Sequence, residues 1–531
     1  MDDHAKPLDD AVNKDDLGNA IAPIPSNTLG SIAEFKTGGL SDVEQNLKVI
    51  EEAVEAIGFG KFHWQLTMSC GFGFLADQML LVSISLVGPQ LTPEFAPTYP
   101  TLLPASNYAG LLVGAVAMGL LADNIGRRLV WQLSIFGISI STMLAASSPN
   151  WAAINAWVAI CGFFGGGNLA IDLTILAENI PRRWSFMLAG LACVWGLGNS
   201  ITGFLGWGLL VDFGCPQYAT PSTCPTSANM GWRYLYITLG GLCLIMSIIR
   251  AVVIRTHESP RWLVSCGRFD EAVEVVNRIS AMNGSEYTVT VAQFIRESRQ
   301  QGNEGGIVAN HGEEDAVAKT QSLGENLRRA ARLFEGWAQV RLMICLTLLW
   351  VLVGIAYPLF TLFLPYYLRA HGADLGDSSN YNTYRDWAIT SVVGIFGPAL
   401  SMWMVSNNWL RSRKSLVLTG AACAAFSAAF TSVKTQSQNL AFSCMISFWL
   451  NAMYAIIYAY TPQALSVENR GLGNGLLMAV GRLASLSSPF IATFADVSTP
   501  APIWVACGCF AMIGIVGLVL PVDTVAYNLV E

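Results

Sequence analysis

Three ionisable residues stand inside long apolar stretches of the chain: Asp77, Asp172 and Arg482. A charge in a bilayer core is costly and normally faces a cavity or a partner. A carboxyl group in such a place can take up a proton, touch a bound solute, or act as the fixed partner of an arginine or a helix end. Protonation of Asp77 would remove a charge that opposes movement. Asp172 divides between that role and a local hydrogen bond beside Asn168. Arg482 keeps its charge and so cannot carry a proton, but its planar fork can hold a carboxylate through two parallel hydrogen bonds. A structural ion pair with Asp77 or Asp172 is the other reading of Arg482, and the residue types leave both open. Asn168, Trp195, Asn199, Tyr357, Thr361, Asn451, Tyr454 and Tyr458 could complete a pocket. The spacing of Asn451, Tyr454 and Tyr458 sets them on one helix face. Helix–helix packing in membranes draws on the same residue types.

The elements that must position these residues follow from composition. The 531 residues are 53% hydrophobic and only 13% charged, about half the charge of a soluble domain. A membrane span takes about 20 apolar residues. Twelve stretches qualify: 64–88, 105–122, 129–147, 151–177, 186–210, 232–254, 341–367, 386–405, 415–433, 438–462, 472–495 and 501–521. The expected fold is therefore an all-α membrane protein with twelve transmembrane helices in two six-helix halves. At about 1.5 Å per residue, Asp77 lies roughly 20 Å into the first span and Arg482 roughly 15 Å into the eleventh. Both depths approach the middle of a core about 30 Å thick.

Residues 1–60 are polar and acidic and read as a cytosolic disordered tail. The first half then covers 61–254, a cytosolic central loop 255–340, the second half 341–521, and a short cytosolic tail 522–531. Within the central loop, 267–276 read as a short amphipathic helix with Asp270 near its N-cap, and 300–325 as loose chain. Arg127, Arg128, Arg182, Arg183, Arg255, Arg261, Arg268, Arg328, Arg329, Arg411, Arg413, Lys414 and Arg470 fall in alternate loops. The opposite loops hold only Arg233, Arg369, Arg385 and Lys434. Basic loops stay inside, so both termini are expected in the cytosol. Cys215 and Cys224 share the external loop 211–231, where the oxidising face permits a disulfide. His63 reads as an interfacial residue. The halves also repeat: Arg128 and Arg413, Glu178 and Gln463, and Gly196 and Gly481 are each 285 residues apart. Such parallel repeats mark a transporter architecture.

The turn between the second and third spans carries Gly119, Asp123, Gly126, Arg127 and Arg128 at fixed spacing. A carboxylate there can cap a helix end and hold an arginine across the turn. This pattern resembles the loop signature of the major facilitator superfamily. Glu258-Ser259-Pro260-Arg261 after span six and Tyr460-Thr461-Pro462 in span ten resemble its sugar-transporter-like branch. Phe59-Gly60-Lys61-Phe62-His63-Trp64 leading to Asp77, and Gly165 to Asp172, resemble the synaptic-vesicle-protein-related subgroup, which includes proton-coupled carriers of nicotinate-like acids. The resemblance implies the twelve-helix fold, alternating access, and a gate built from Gly119, Asp123, Gly126, Arg127, Arg128, Glu178 and Arg470. The chain departs from the branch at Gln463 (usually Glu), at Ser466 (usually Pro) and at Ser185-Phe186 (usually Arg-Gly), which leaves the second half's charge network thinner.

The reading is a secondary transporter of a small organic solute, an organic anion coupled to protons, in the plasma membrane. An exporter of metabolites or drugs with the same fold, or a solute sensor that moves nothing, are the alternatives. No nucleotide loop, metal-ligand cluster or nucleophile–base pair occurs, so neither enzyme activity nor a cofactor is expected, and the acidic net charge of −7 gives no footing for nucleic acid. The expected partners are the solute, protons and the lipid bilayer.

Overall fold

In hydrocarbon every backbone N–H and C=O must be paired inside its own segment, which for long apolar runs means helix. The computed structural model describes residues 42–184, 186–216, 219–253, 257–294, 333–361, 380–465, 470–494 and 499–521, and the regular structure among them is helical throughout. The first half comprises α2 (Lys61–Phe95), α3 (Leu102–Ile125), α4 (Arg127–Ala145), α5 (Trp151–Asn179), the pair α6 (Met187–Gly190) and α7 (Ala192–Asp212), and α8 (Gly231–Ile248). The second comprises α11 (Trp337–Thr361), α12 (Asn380–Ser406), α13 (Arg411–Phe430), α14 (Gln436–Ala464), α15 (Arg470–Phe494) and α16 (Ala501–Val519). Among the described residues, 11 spans are long and apolar enough to cross a membrane. The further long helix, α13, opens with Arg411, Arg413 and Lys414, which dilute its apolar run.

Packing repeats between the halves. α2 packs on α7 as α11 packs on α15, α3 on α5 as α12 on α14, and α4 on α8 as α13 on α16. The halves meet where α7 crosses α12 and where α3 crosses α15. Close approach within each half needs glycine. A Cβ added to Gly114 of α3 would stand 1.8 Å from the carbonyl oxygen of Phe163 on α5, and one at Gly397 of α12 2.2 Å from that of Phe448 on α14. Association of helices in lipid rests on such small-residue contacts.

The 1–60 tail is not disordered throughout. Its last part is α1 (Asp42–Ile57), an amphipathic helix whose Ile50, Ala53, Val54 and Ile57 are buried. They pack with Leu263 and Val264 of α9 (Pro260–Ser265) and Val276 and Ile279 of α10 (Phe269–Asn283). The polar composition hid a helix-spaced apolar stripe that no tail requires. Arg268 holds the N-cap position of α10, and Asp270 and Glu271 lie in its first turn. Asn283, at the other end of α10, ties this helix to the start of the first half, accepting from Phe62 N at 2.9 Å and donating to the Gly58 carbonyl at 3.1 Å. His63 is not interfacial but buried, its Nε2 2.8 Å from the carbonyl of Asn179. Residues 1–41, 295–332 and 522–531 lie outside the described residues, and with them Arg328, Arg329 and the 300–325 stretch; so do Arg255, Arg369, Ser185 and Ser466.

The Gly114 contact is testable. Gly114→Val forces a branched side chain against the backbone of α5 and should destabilise the protein by about 1–3 kcal/mol. The check is thermal unfolding of the purified protein in detergent, against Gly208→Val, where nothing lies within 4 Å of an added Cβ.

Candidate functional site

Asp77 on α2 and Arg482 on α15 meet at the centre of the molecule, one from each half. Arg482 Nη2 lies 3.9 Å from Asp77 Oδ1, and the two side chains are 12% and 8% exposed. At that distance the pair attracts without forming a hydrogen bond. The remaining donors of the guanidinium fork are then available to a second acceptor. Aromatic rings enclose the pair. Tyr454 and Tyr458 of α14 stand 4.9 Å apart, and Tyr357 of α11 lies 4.9 Å from Tyr454. Trp195 of α7 lies 5.2 Å from Tyr454 and 4.6 Å from Tyr458. Trp350 of α11, Phe74 of α2 and Tyr108 of α3 extend the cluster and were not among the sequence candidates. They read as ordinary apolar packing until the fold sets them beside the charges. Trp195 Nε1 and Tyr108 Oη are buried without a hydrogen-bond partner, so polar groups at this centre are left open.

A cavity adjoins the cluster. Asn199, Tyr357 and Asn451 line it, with the hydroxyls of Ser85, Thr361, Thr390, Ser391 and Ser447 and an apolar remainder that includes Leu81, Phe360 and Trp387. Asn199 Oδ1 is buried and unpartnered. The α12 and Ser447 contributions escaped the sequence reading because uncharged hydroxyls in a span look like helix packing. The structure thus brings Asp77, Arg482, Trp195, Asn199, Tyr357, Thr361, Asn451, Tyr454 and Tyr458 to one region.

Asn168 and Asp172 go elsewhere. Both are fully buried within the first half, around a residue that sequence analysis passed over, Arg250. Arg250 stands in a π-helical turn, Ile249–Val253, that continues α8. Its Nη2 lies 3.2 Å from Asp172 Oδ1 and 2.6 Å from the Ser69 carbonyl of α2. Its Nη1 donates to Asn168 Oδ1 at 3.0 Å and to the Trp131 carbonyl of α4 at 3.2 Å, and its guanidinium lies over the Trp131 ring. Asp172 also accepts from Trp131 Nε1 and, at 2.8 Å, from Asn168 Nδ2. Four helices are joined through one charge pair. The signal was an arginine inside the 232–254 stretch.

At the arginine-rich face, the carboxylate of Glu258 caps α4. Glu258 Oε1 accepts from Arg127 N at 2.9 Å and Arg128 N at 3.2 Å, where the helix dipole favours a negative charge. Gly126 turns the chain at φ 101°, and a Cβ there would stand 2.7 Å from Glu258 Oε2. Arg127 pairs with Glu178, which also accepts from Ser259 Oγ at 3.0 Å. Arg128 is exposed, and Gly119 has nothing within 4 Å of an added Cβ. The side chains of Asp123 and Arg470 lie outside the described residues. In the second half, Arg413 Nη2 instead donates to the Leu518 carbonyl at 2.6 Å and Arg341 Nη2 to that of Val519 at 2.9 Å, capping the end of α16. On the opposite face Cys215 and Cys224 are disulfide-bonded, with Cα atoms 5.9 Å apart.

Removing one partner of the Arg250 cluster separates structure from transport chemistry. Arg250→Ala leaves Asp172 buried without its cation and should cost about 3–5 kcal/mol of stability. Arg250→Ala with Asp172→Leu should recover part of that loss. Denaturation midpoints of the single and double variants in detergent give the comparison.

This arrangement matches known proteins along nearly its whole length. The family model described as Major Facilitator Superfamily matches residues 67–489. The chain is 32% identical to MFS siderochrome iron transporter 1 of Ceriporiopsis subvermispora over 496 residues, 92% of this chain and 93% of that one. It is 25% identical to the niacin transporter NiaP of Acinetobacter baylyi, covering 83% and 89%. It is 24% identical to the synaptic vesicle 2-related protein of Xenopus laevis, covering 91% and 82%. Among solved structures, the proton:xylose symporter XylE superposes with a TM-score of 0.65 at 16% identity, over 88% of this chain and 98% of that one.

Proposed function

Because the chain belongs to the Major Facilitator Superfamily, a family of membrane transporters, we propose that it carries a small organic anion together with a proton by alternating access. The single observation that carries this reading is the Asp77–Arg482 pair, which spans the two halves inside an aromatic cluster at a separation too long for a hydrogen bond. The charge balance explains the coupling. Empty, the site holds one negative and one positive group. An anion alone would add an uncompensated charge to a low-dielectric centre, at a cost of several kcal/mol. A proton on Asp77 restores neutrality and frees Arg482 to hold the anion's carboxylate through its planar fork. The loaded site is then as neutral as the empty one, and either can cross between its two orientations. The anion alone cannot.

The aromatic rings and the amides of Asn199 and Asn451 suit a small, flat solute with polar atoms on its edge. The niacin transporter among the relatives supports a nicotinate-like acid, and the symporter among the structural neighbours supports protons as the coupling ion. In this reading the halves 61–254 and 341–521 rock about the central site. The arginine-rich face with its Glu258–Arg127–Glu178 gate is cytosolic, both termini lie in the cytosol, and the membrane is the plasma membrane. Asn168 and Asp172 act within the first half as one rigid support, with Asp172 the second candidate for the proton.

Uptake into proteoliposomes across an imposed pH gradient, screened over monocarboxylates, aromatic acids and sugars, tests the reading. Asp77→Asn mimics the protonated carboxyl and cannot titrate, so it should abolish pH-driven accumulation while exchange of substrate for substrate continues. Accumulation that survives in this variant would pass the coupling role to Asp172. Arg482→Lys should remain folded and bind a carboxylate about ten- to a hundredfold more weakly, with a far smaller loss for its neutral amide. Equal losses for acid and amide would make Arg482 a structural residue and remove the main support for an anionic solute.

A further inference from the structure

The central cavity ends, on the face opposite the arginines, under a set of hydrogen bonds that cross between the halves. Tyr384 of α12 is 3% exposed and lies one helical turn outward of the cavity residue Trp387. Its Oη accepts from Gln90 Nε2 of α2 at 3.2 Å and donates to the Leu86 carbonyl of the same helix at 3.2 Å. Nearer the cavity, Ser85 Oγ donates to the Thr361 carbonyl of α11 at 3.2 Å. At the rim, the hydroxyls of Thr101, at the N-cap of α3, and Thr493 on α15 are 2.6 Å apart.

Gln90 is itself held from behind. The chain's α2 runs for 35 residues, roughly 50 Å at 1.5 Å per residue, and so projects beyond a 30 Å core. Pro89 and Pro93 interrupt its backbone hydrogen bonding around Gln90. The Gln90 carbonyl is taken up by Asn229 Nδ2 at 2.9 Å, and Asn229 Nδ2 also reaches Glu94 Oε2 at 2.9 Å. Glu94 pairs with Arg233 at 2.9 Å. An added Cβ on Gly214 would stand 3.0 Å from Gln90 Oε1, and Gly231 N donates to the Phe213 carbonyl at 2.9 Å. The two ends of the disulfide-closed loop therefore meet against Gln90. The glutamine is 3% exposed and its side chain is aimed across the boundary between the halves.

We propose that Tyr384 and Gln90 form the outer gate of the transport path: a latch in which one phenol of the second half closes on a glutamine and a carbonyl of the first half. The latch has the features a gate needs. Its bonds are neutral, so no desolvated charge is stranded when it opens. Each is individually weak, so opening is within thermal reach. The first-half side is prearranged by Asn229 and the loop, so closing orders little more than the tyrosine. This goes beyond the proposed solute and coupling ion. It depends on the proposed orientation and plasma-membrane location, in which this face is external.

The test requires no substrate. Ser391→Cys on the cavity wall, in a background whose other free cysteines are alanine and whose Cys215–Cys224 bond is kept, reports external opening by its rate of reaction with a membrane-impermeant maleimide on intact cells. Tyr384→Phe keeps the ring and removes both hydrogen bonds, and should raise the rate by about tenfold. Gln90→Leu keeps the volume and should raise it by about two- to tenfold. Combining the two should add little to Tyr384→Phe alone, because both act on one contact. Size-exclusion profiles of the detergent-solubilised variants confirm folding. Wild-type rates in both folded single variants, or fully multiplicative effects in the double, would overturn the latch. A rise seen only after permeabilisation would overturn its place as the outer gate. Neither result would touch the coupling reading, which rests on uptake.

Discussion

Burying a charge away from water is the constraint from which most of this structure follows. Each of three acidic residues in the first-half helices has an arginine facing it: Asp172 faces Arg250, Glu94 faces Arg233, and Asp77 faces Arg482. The first two pairs form inside one half and are closed by further hydrogen bonds. Arg250 reaches three other helices besides its own, and Arg233 shares Glu94 with Trp232 and Asn229. A buried pair held by this many hydrogen bonds favours one arrangement, and breaking it strands a charge. The effect is to make the first half a single body. The third pair differs on both counts, because it bridges the halves and its 3.9 Å separation leaves donors open. Rigidity inside a half and looseness between halves are the two properties that a rocking motion about a central site requires.

The same physics explains what could be read from sequence. Span number, the repeat and the loop signature depend on local patterns: apolar run length, basic loops and fixed spacings. Those patterns survive in a single chain because each is set by the bilayer or by one turn. Asp77, Arg482 and the tyrosines of α14 were legible for a related reason, since charges and regularly spaced phenols inside a span stand out against the apolar background. Arg250 should have been caught by that rule. Its place near the end of an apolar stretch made it resemble one more basic loop residue, whereas a π-helical turn carries it into the core. The assignment of Asn168 to the pocket failed differently. Its helix position was right, but only the packing of α2, α4 and α8 around it shows that both ends of its amide are taken.

The hydroxyl-lined wall of α12 and the Gln90–Tyr384 contact were beyond reach of the sequence, because neither residue type is unusual and their partners lie hundreds of positions away. α1 was hidden by composition: its charged face dominates any average over residues 1–60, and its apolar stripe has meaning only once α9 and α10 supply a surface. Glu258 lay between these cases. The stretch Glu258 to Arg261 was recognisable as a motif, but its task of capping α4 across the chain is a tertiary fact.

The charge network at the arginine-rich face shows how a pseudo-symmetric fold can be built unevenly. Beside the first half, two carboxylates, Glu178 and the central loop's Glu258, meet Arg127 and the start of α4, so ion pairing and helix capping reinforce each other. At the position matching Glu178 the second half has Gln463, and at that matching Arg127 it has Ser412, neither of which carries a charge, while Arg413, the repeat-mate of Arg128, donates to the Leu518 carbonyl at the end of α16. An arginine that caps carbonyls of its own half fastens that half to itself. An arginine–carboxylate network contributes Coulomb energy whose size depends on how well the site is shielded from water and salt. In the proposed transport cycle, the part of this face's energy that responds to charge should therefore lie mainly in the first-half network. The departure at Gln463, together with Ser412 at the place of Arg127, then reads as a division of labour between the repeats, with the Arg127–Glu178 pair kept in one of them.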